Sequence, residues 1–177
     1  MPKEGMAILD VGCGTGVLLE LYQRYPCALY GIDSSPSMLE IARNRLGENA
    51  HLHLGDATAM PYEDRSFDLV IAMLALHEMN PTTRSSVVGE MKRVLKKDGR
   101  ILLIDFHPGP IRPLKGWLTK LVILPSEVAA GREHFRNYRQ FIAANGLPTL
   151  VAGHALVVKK QRIVSGGALA LFLLGAE

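Results

Sequence analysis

One run near the amino terminus, Ile8-Leu9-Asp10-Val11-Gly12-Cys13-Gly14-Thr15-Gly16, constrains the fold more than any other segment of the chain. Its apolar residues, closed by an acid, read as a buried strand. After the glycines, Val17, Leu18, Leu21 and Tyr22 recur at helical spacing until Pro26 intervenes, so a helix is expected over Gly16 to Tyr25. Strand, glycine loop and helix open a βα unit, and open α/β sheets bind ligands at the carboxyl ends of such strands. Glycine lets the backbone turn sharply there and lets a ligand reach atoms that a Cβ would shield. Three alternating glycines exceed what a plain turn needs. The spacing also selects among ligands. A dinucleotide fingerprint requires glycine at position 17, which is Val17, and the Gly-Lys-Ser/Thr of a phosphate loop is missing. A pyrophosphate ligand is therefore disfavoured.

The alternation continues along the chain, the pattern of a largely parallel sheet covered on both faces. Met6 to Val11 and Ala28 to Ile32 read as strands, the second closing on Asp33. Ser35 and Pro36 suit the N-cap and first position of a helix running to about Leu46, with Gly47 as its stop. Further strands are expected at His51 to Leu54, Phe67 to Leu74 and Arg100 to Phe106. Helices are expected from Thr82 or Thr83 to Leu95 and from Glu133 to Asn145, the latter capped by Gly146. Lys96 to Gly99 reads as a turn. Leu150 to Lys159 and Ala168 to Leu174 read as a final strand pair joined by a basic turn at Lys160 to Arg162. A connection that short makes the pair antiparallel.

Composition excludes several classes. With 177 residues, 48% of them hydrophobic and 21% charged, the chain has the apolar mass for one core and is not disordered. Two cysteines outside any CxxC or Cys/His cluster build no disulfide scaffold, and no metal is expected. A net charge of +3, dispersed along the chain, argues against nucleic acid as a partner. The opening MPKEGMAILD lacks a signal peptide's apolar run, and the apolar stretches fall short of the roughly 18 residues of a membrane span, so a cytoplasmic location is expected.

Four ordered motifs carry a family resemblance. ILDVGCGTG, LYGIDSSPSMLEIAR, HLHLGDATAMPYEDRSFDLVIA and VLKKDGRILLIDF resemble the successive motifs of the class I S-adenosylmethionine-dependent methyltransferases, nearest the ubiquinone/menaquinone-biosynthesis-like branch. The resemblance is close over residues 6–106 and looser beyond. It implies one Rossmann-like α/β domain over 1–177, with a mostly parallel seven-stranded sheet of order 3-2-1-4-5-7-6, an antiparallel last strand and helices on both faces. Within it, 5–106 would be the cofactor half, 107–132 a substrate-covering insertion and 133–177 the final helix and strand pair. The implied cofactor is S-adenosyl-L-methionine. Asp33 would grip the ribose, beside Ser34. Met38 would pack on the adenine, Asp56 would take the adenine amino proton, and the Ala57 N–H would face a ring nitrogen. Asp10 would hold the loop or the amino end of the cofactor, Gly12 and Gly14 would pass close to its methionine part, and Met73 and Leu74 would lie beneath sulfonium and ribose. Cys13 has no partner that would make it a nucleophile.

Methyl transfer from a sulfonium is an in-line displacement that needs chiefly positioning, worth about 7–11 kcal/mol at a near-attack geometry. A general base adds roughly two to four decades when the nucleophile carries a proton. His77, with Glu78, and His107, with Asp105, are the candidates, since all would lie at the carboxyl edge of the sheet and histidine titrates near neutrality. Arg84, Lys92 and Arg93 read as a solvated helix face, and His51, His53 and His154 as strand residues. The Ile111 to Leu124 stretch, with Trp117 and three basic residues, reads as an amphipathic core helix or as a lid over an apolar acceptor pocket that also allows peripheral membrane contact.

Many members of the family carry a helical lid before the first strand, and here about five residues precede it. The implied site is more open, or is covered by 107–132 or by another subunit of a homo-oligomer. The expected function is methyl transfer to a small-molecule acceptor, quinone-like or lipidic. A cofactor-binding but non-catalytic regulatory or scaffold subunit is the second reading. A dinucleotide enzyme is the third.

Overall fold

Ile8 and Leu9, adjacent in one strand, bury themselves on opposite faces of a sheet, and helices cover both. The computed structural model describes residues 2–110 and 131–176. Strands β1 (Ala7–Val11), β2 (Ala28–Asp33), β3 (Ala50–Leu54), β4 (Phe67–Met73), β5 (Leu95–Phe106), β6 (Leu156–Val164) and β7 (Leu169–Ala176) form one sheet of order β3-β2-β1-β4-β5-β7-β6. The first five run parallel, and β7 lies antiparallel between β5 and β6, which is the architecture expected from the family motifs.

Helices α1 (Val17–Tyr22) and α2 (Pro36–Leu46) cover one face, closing Leu18, Leu19, Leu39 and Leu46 over Ile8, Leu29 and Ile71. On the other face lie α3 (Pro81–Val94), α4 (Arg132–Ala143) and α5 (Leu147–Ala152). Their Val87, Met91, Phe141, Leu147 and Val151 pack against Leu9, Val70, Ile101 and Leu103. Ser35 caps α2 as expected, accepting the Met38 N–H at 3.4 Å, with Pro36 at its start and Gly47 at its end. Helix α1 is shorter than expected. Helix α3 begins earlier than its threonines suggested, because the Asn80 side chain accepts the Thr83 N–H at 3.0 Å and Pro81 suits the first turn.

Three expected features at the carboxyl half are corrected. Lys96 to Gly99 is not a turn between elements but an irregularity within β5, where the register with β4 jumps between Phe67 and Leu69. Asp68 sits at this irregularity, its Oδ2 accepting both the Ala7 N–H at 2.8 Å and Lys96 Nζ at 2.7 Å. Lys160 to Arg162 is strand: these residues pair with Leu173, Phe172 and Leu171 on the exposed sheet edge, where basic side chains discourage edge-to-edge association. The reversal falls instead at Ser165, Gly166 and Gly167, all at positive φ. Leu150, expected to begin the final strand pair, lies in α5. Gly146 ends α4 by donating its N–H to Phe141 O at 2.9 Å and also opens α5, so β6 starts at Leu156. The expected insertion at 107–132 lies outside the described residues between 111 and 130, as does the Trp117 stretch.

Candidate functional site

The parallel register of β1 and β2 sets the end of each strand beside the other, with Val11 opposite Ile32. The glycine loop then folds back over β2. Gly12, Gly14 and Gly16 have φ of 71°, 51° and 77°, left-handed backbone that explains three glycines in alternation. Asp33 latches the loop to the next element: its Oδ2 accepts the Gly14 N–H at 2.8 Å and its Oδ1 the Ser35 N–H at 2.9 Å. Each oxygen keeps acceptor capacity directed to neither bond.

Above this latch lies a cavity of about 690 Å³ at the carboxyl ends of β1, β2 and β4. Asp10, Gly12 and Gly14 line it from the first βα unit. Asp33, Ser34 and Met38 line it from the second, Asp56 and Ala57 from the loop after β3, and Met73 and Leu74 from the end of β4. All ten residues marked by the sequence for the cofactor are thus brought to one cavity. Leu74 adopts φ 54°, a left-handed conformation costly for a leucine, while its N–H donates to Ile104 O at 2.8 Å.

Asp10 is the electrostatic centre of the cavity. It is 2% exposed, and its Oδ1 has no hydrogen-bond partner among the described residues. Burial, and secondarily the charge of Asp33, pushes its carboxyl from the ordinary 3.8 up to about 7. The exposed Asp56 behaves oppositely, because the Thr58 N–H, donating to its Oδ1 at 2.8 Å, lowers its carboxyl below the ordinary value. Cys13 is inert, its thiol pushed by burial up to about 12.

The two candidate bases do not line this cavity. His77 is buried in the short turn Leu76–Glu78, its ring edge-on to Phe106 at 4.5 Å, while the neighbouring Glu78 does reach the cavity wall. His77 Nδ1–H donates to Asp105 Oδ1 at 2.8 Å, and the same carboxylate accepts the backbone N–H groups of His77 and Phe106. His107 instead faces the β7 side, its Nδ1 3.2 Å from both the Gly167 carbonyl oxygen and the Gly109 nitrogen.

Other expectations on charged residues are revised. Arg84 is no solvated side chain. It is 5% exposed, donates from Nε to Leu76 O and from Nη2 to Met79 O, each at 2.7 Å, and lies over the Phe141 ring. Asn137 on α4 donates to Glu78 O at 2.7 Å, so two helices pin the carbonyls of the turn that carries His77. Arg93 holds Glu90, Asp64 and the Met60 and Tyr62 carbonyls. His154 sits in the turn before β6, 3.1 Å from Ser85 Oγ, rather than in a strand. Met79, at the end of the Leu76–Glu78 turn, and Thr83 and Val87 on α3 also line the cavity, and nothing local in the sequence marks them, since tertiary packing brings them there.

A sheet of this order, with its ligand cavity at the carboxyl edge above a glycine loop, is the class I methyltransferase architecture. The crystal structure of a Pyrococcus horikoshii protein superposes with a TM-score of 0.73 at 20% identity, covering 98% of this chain and 83% of that one. The family model described as a methyltransferase domain matches residues 8–99, and the chain belongs to that family. A demethylmenaquinone methyltransferase of Thermotoga maritima is 37% identical over 103 residues, 57% of this chain and 44% of the relative. A ubiquinone/menaquinone biosynthesis C-methyltransferase of Hahella chejuensis is 32% identical over 148 residues, 76% of this chain and 58% of the relative. The chain spans about half the length of the curated relatives it matches.

S-adenosylmethionine is the cofactor that this membership implies, and the residues present fit it. The orphaned Asp10 oxygen suits a cationic donor such as its ammonium group, because a buried acceptor without a partner is costly. A Cβ added at Gly14 would meet nothing within 4 Å, so the loop leaves open space above its backbone. Among the described residues, no helix is long and apolar enough to cross a membrane.

Proposed function

We propose that this chain transfers a methyl group from S-adenosylmethionine to a small-molecule acceptor of quinone-like or lipidic character. The observation that carries the reading is the convergence of all ten marked residues on one cavity, where the buried Asp10 keeps one oxygen without a hydrogen-bond partner among the described residues. The cofactor supplies an electrophilic methyl group on a sulfonium. Asp33 takes the ribose hydroxyls, the stronger, charge-assisted kind of hydrogen bond. Asp56 and the Ala57 N–H meet the adenine edge, Met38 packs on its face, and Asp10 holds the ammonium end. Met73 and Leu74 support the sulfonium side, and the chain as a whole forms one methyltransferase domain. The acceptor class is supported by the names of relatives such as the demethylmenaquinone and ubiquinone/menaquinone methyltransferases.

Neither His77 nor His107 lines the cavity, which favours as a second reading a cofactor-binding subunit without turnover. Incubation with methyl-labelled cofactor and a panel of demethylated quinones and lipid extracts separates the two. Label in an extracted acceptor is expected. Cofactor binding by calorimetry without label in any acceptor would establish the second reading, and absence of binding would remove both.

Asp10 makes the binding pH-dependent. In the unliganded chain its raised carboxyl favours the folded state below its ordinary value of 3.8, and that contribution is lost as the pH rises through about 7. An ammonium ligand needs the ionised carboxylate, so binding below this range expels a proton. The affinity for the demethylated cofactor is expected to be roughly tenfold weaker at about pH 6 than at about pH 8, one proton's linkage. Titration calorimetry at both values checks this, and Asp10→Asn should flatten the profile. A wild-type profile already flat would overturn the role given to Asp10.

A further inference from the structure

We propose that His77, Glu78 and His134 form a binding site for a divalent first-row transition-metal ion beside the cofactor cavity. One ligand atom from each of the three side chains lies within 4.8 Å of the other two. His77 Nε2 stands 4.0 Å from Glu78 Oε1, and the His134 ring centroid is 5.6 Å from that of His77. An ion bonded at about 2.0–2.2 Å draws its ligands closer than this. The needed movement falls on Glu78, whose side chain is 52% exposed.

The second observation is the environment of His77. Its Nδ1 donates to the Asp105 carboxylate at 2.8 Å, so Nε2, the atom 4.0 Å from Glu78 Oε1, is the ring nitrogen placed to ligate. A carboxylate behind a histidine in this way fixes ring and tautomer and raises the basicity of the ligating nitrogen, the arrangement that supports histidine ligands in metal sites. Asp105, 1% exposed, is itself held by two backbone N–H groups. Arg84 and Asn137 pin the turn that carries His77 and Glu78, so two of the three donors sit on a rigid support.

Two imidazoles and a carboxylate select zinc, iron(II) or cobalt(II) over magnesium or calcium, which prefer all-oxygen surroundings. Three protein donors leave a coordination position for solvent or for an oxygen, nitrogen or sulfur atom of a bound molecule. Glu78 also lines the cofactor cavity, so the ion would stand against its wall. The site contains no cysteine and draws His134 from a distant helix. The site rests on this geometry and not on the methyl-transfer reading.

The test uses the full chain, stripped with a chelator and titrated with zinc by calorimetry and with cobalt(II) by visible absorption. One ion per chain is expected, with a cobalt spectrum of low coordination number. His77→Gln and His134→Gln should each abolish that spectrum, while Asp105→Asn should weaken binding about 10–100-fold. His134→Gln, remote from the glycine loop, should still bind the demethylated cofactor, which certifies its fold. Failure to bind one ion, or binding indifferent to His77→Gln and His134→Gln, would overturn the proposal. Loss of cofactor binding by the wild type would instead overturn the methyl-transfer reading and leave the ion site standing.

Discussion

Asp33→Ala is expected to weaken binding of the demethylated cofactor by about two to four decades in calorimetry. Two hydrogen bonds to a charged acceptor are each worth about 1.5–3 kcal/mol, and every 1.4 kcal/mol is a decade. The carboxylate has a second task that adds to the loss. It holds the Gly14 N–H and the Ser35 N–H, so its removal frees the glycine loop and the entry to α2 together. Asp33→Asn keeps an acceptor oxygen without the charge and should fall between the two. Because the Asp33 side chain is only partly buried, the variant should retain the wild-type circular dichroism. Binding within threefold of wild type would show that the ribose is held elsewhere.

Gly16→Ala should produce a large loss of stability for a small change of side chain. The position has φ 77°, and an added Cβ would come 2.8 Å from Leu46 Cδ1 and 3.2 Å from Ala42 Cβ, both buried on α2. Left-handed backbone costs a residue with a Cβ about 1–2 kcal/mol. Overpacking costs about 1–3 kcal/mol more. The sum is a large part of the roughly 5–15 kcal/mol that holds a domain together. A fall in the urea midpoint with an unchanged slope is expected. Gly14→Ala is the matched control: its φ is also positive, but its Cβ meets nothing, so it should lose less stability and act chiefly on binding, where the side chain enters the cavity. Equal midpoints for Gly16→Ala and wild type would mean that α1 and α2 do not pack through this glycine.

What could be read in advance was local. Ser35 and Pro36 announce a helix start, the apolar run of β4 a strand buried on both faces, and Asp33 the end of its strand, with Asp56 just past the next. What misled was also local. Lys96 to Gly99 and Lys160 to Arg162 have turn-like, basic composition, yet lie in strands because neighbouring strands supply ladder bonds and Asp68 supplies a countercharge. Arg84 has the composition of a solvated helix face, and is buried because two carbonyls of the preceding turn, Leu76 O and Met79 O, take its hydrogen bonds.

The amino-acid order by itself determined the class of fold and which residues meet at one cavity, because glycine spacing, strand-ending acids and apolar periodicity act through nearest neighbours along the chain. Only the tertiary structure decided that Asp10 is buried with one oxygen lacking a partner among the described residues, that His77 turns away from the cavity toward Asp105, and that His134 comes to meet it. These are properties of burial and of long-range approach. They depend on which groups exclude water from one another, and no local pattern encodes that.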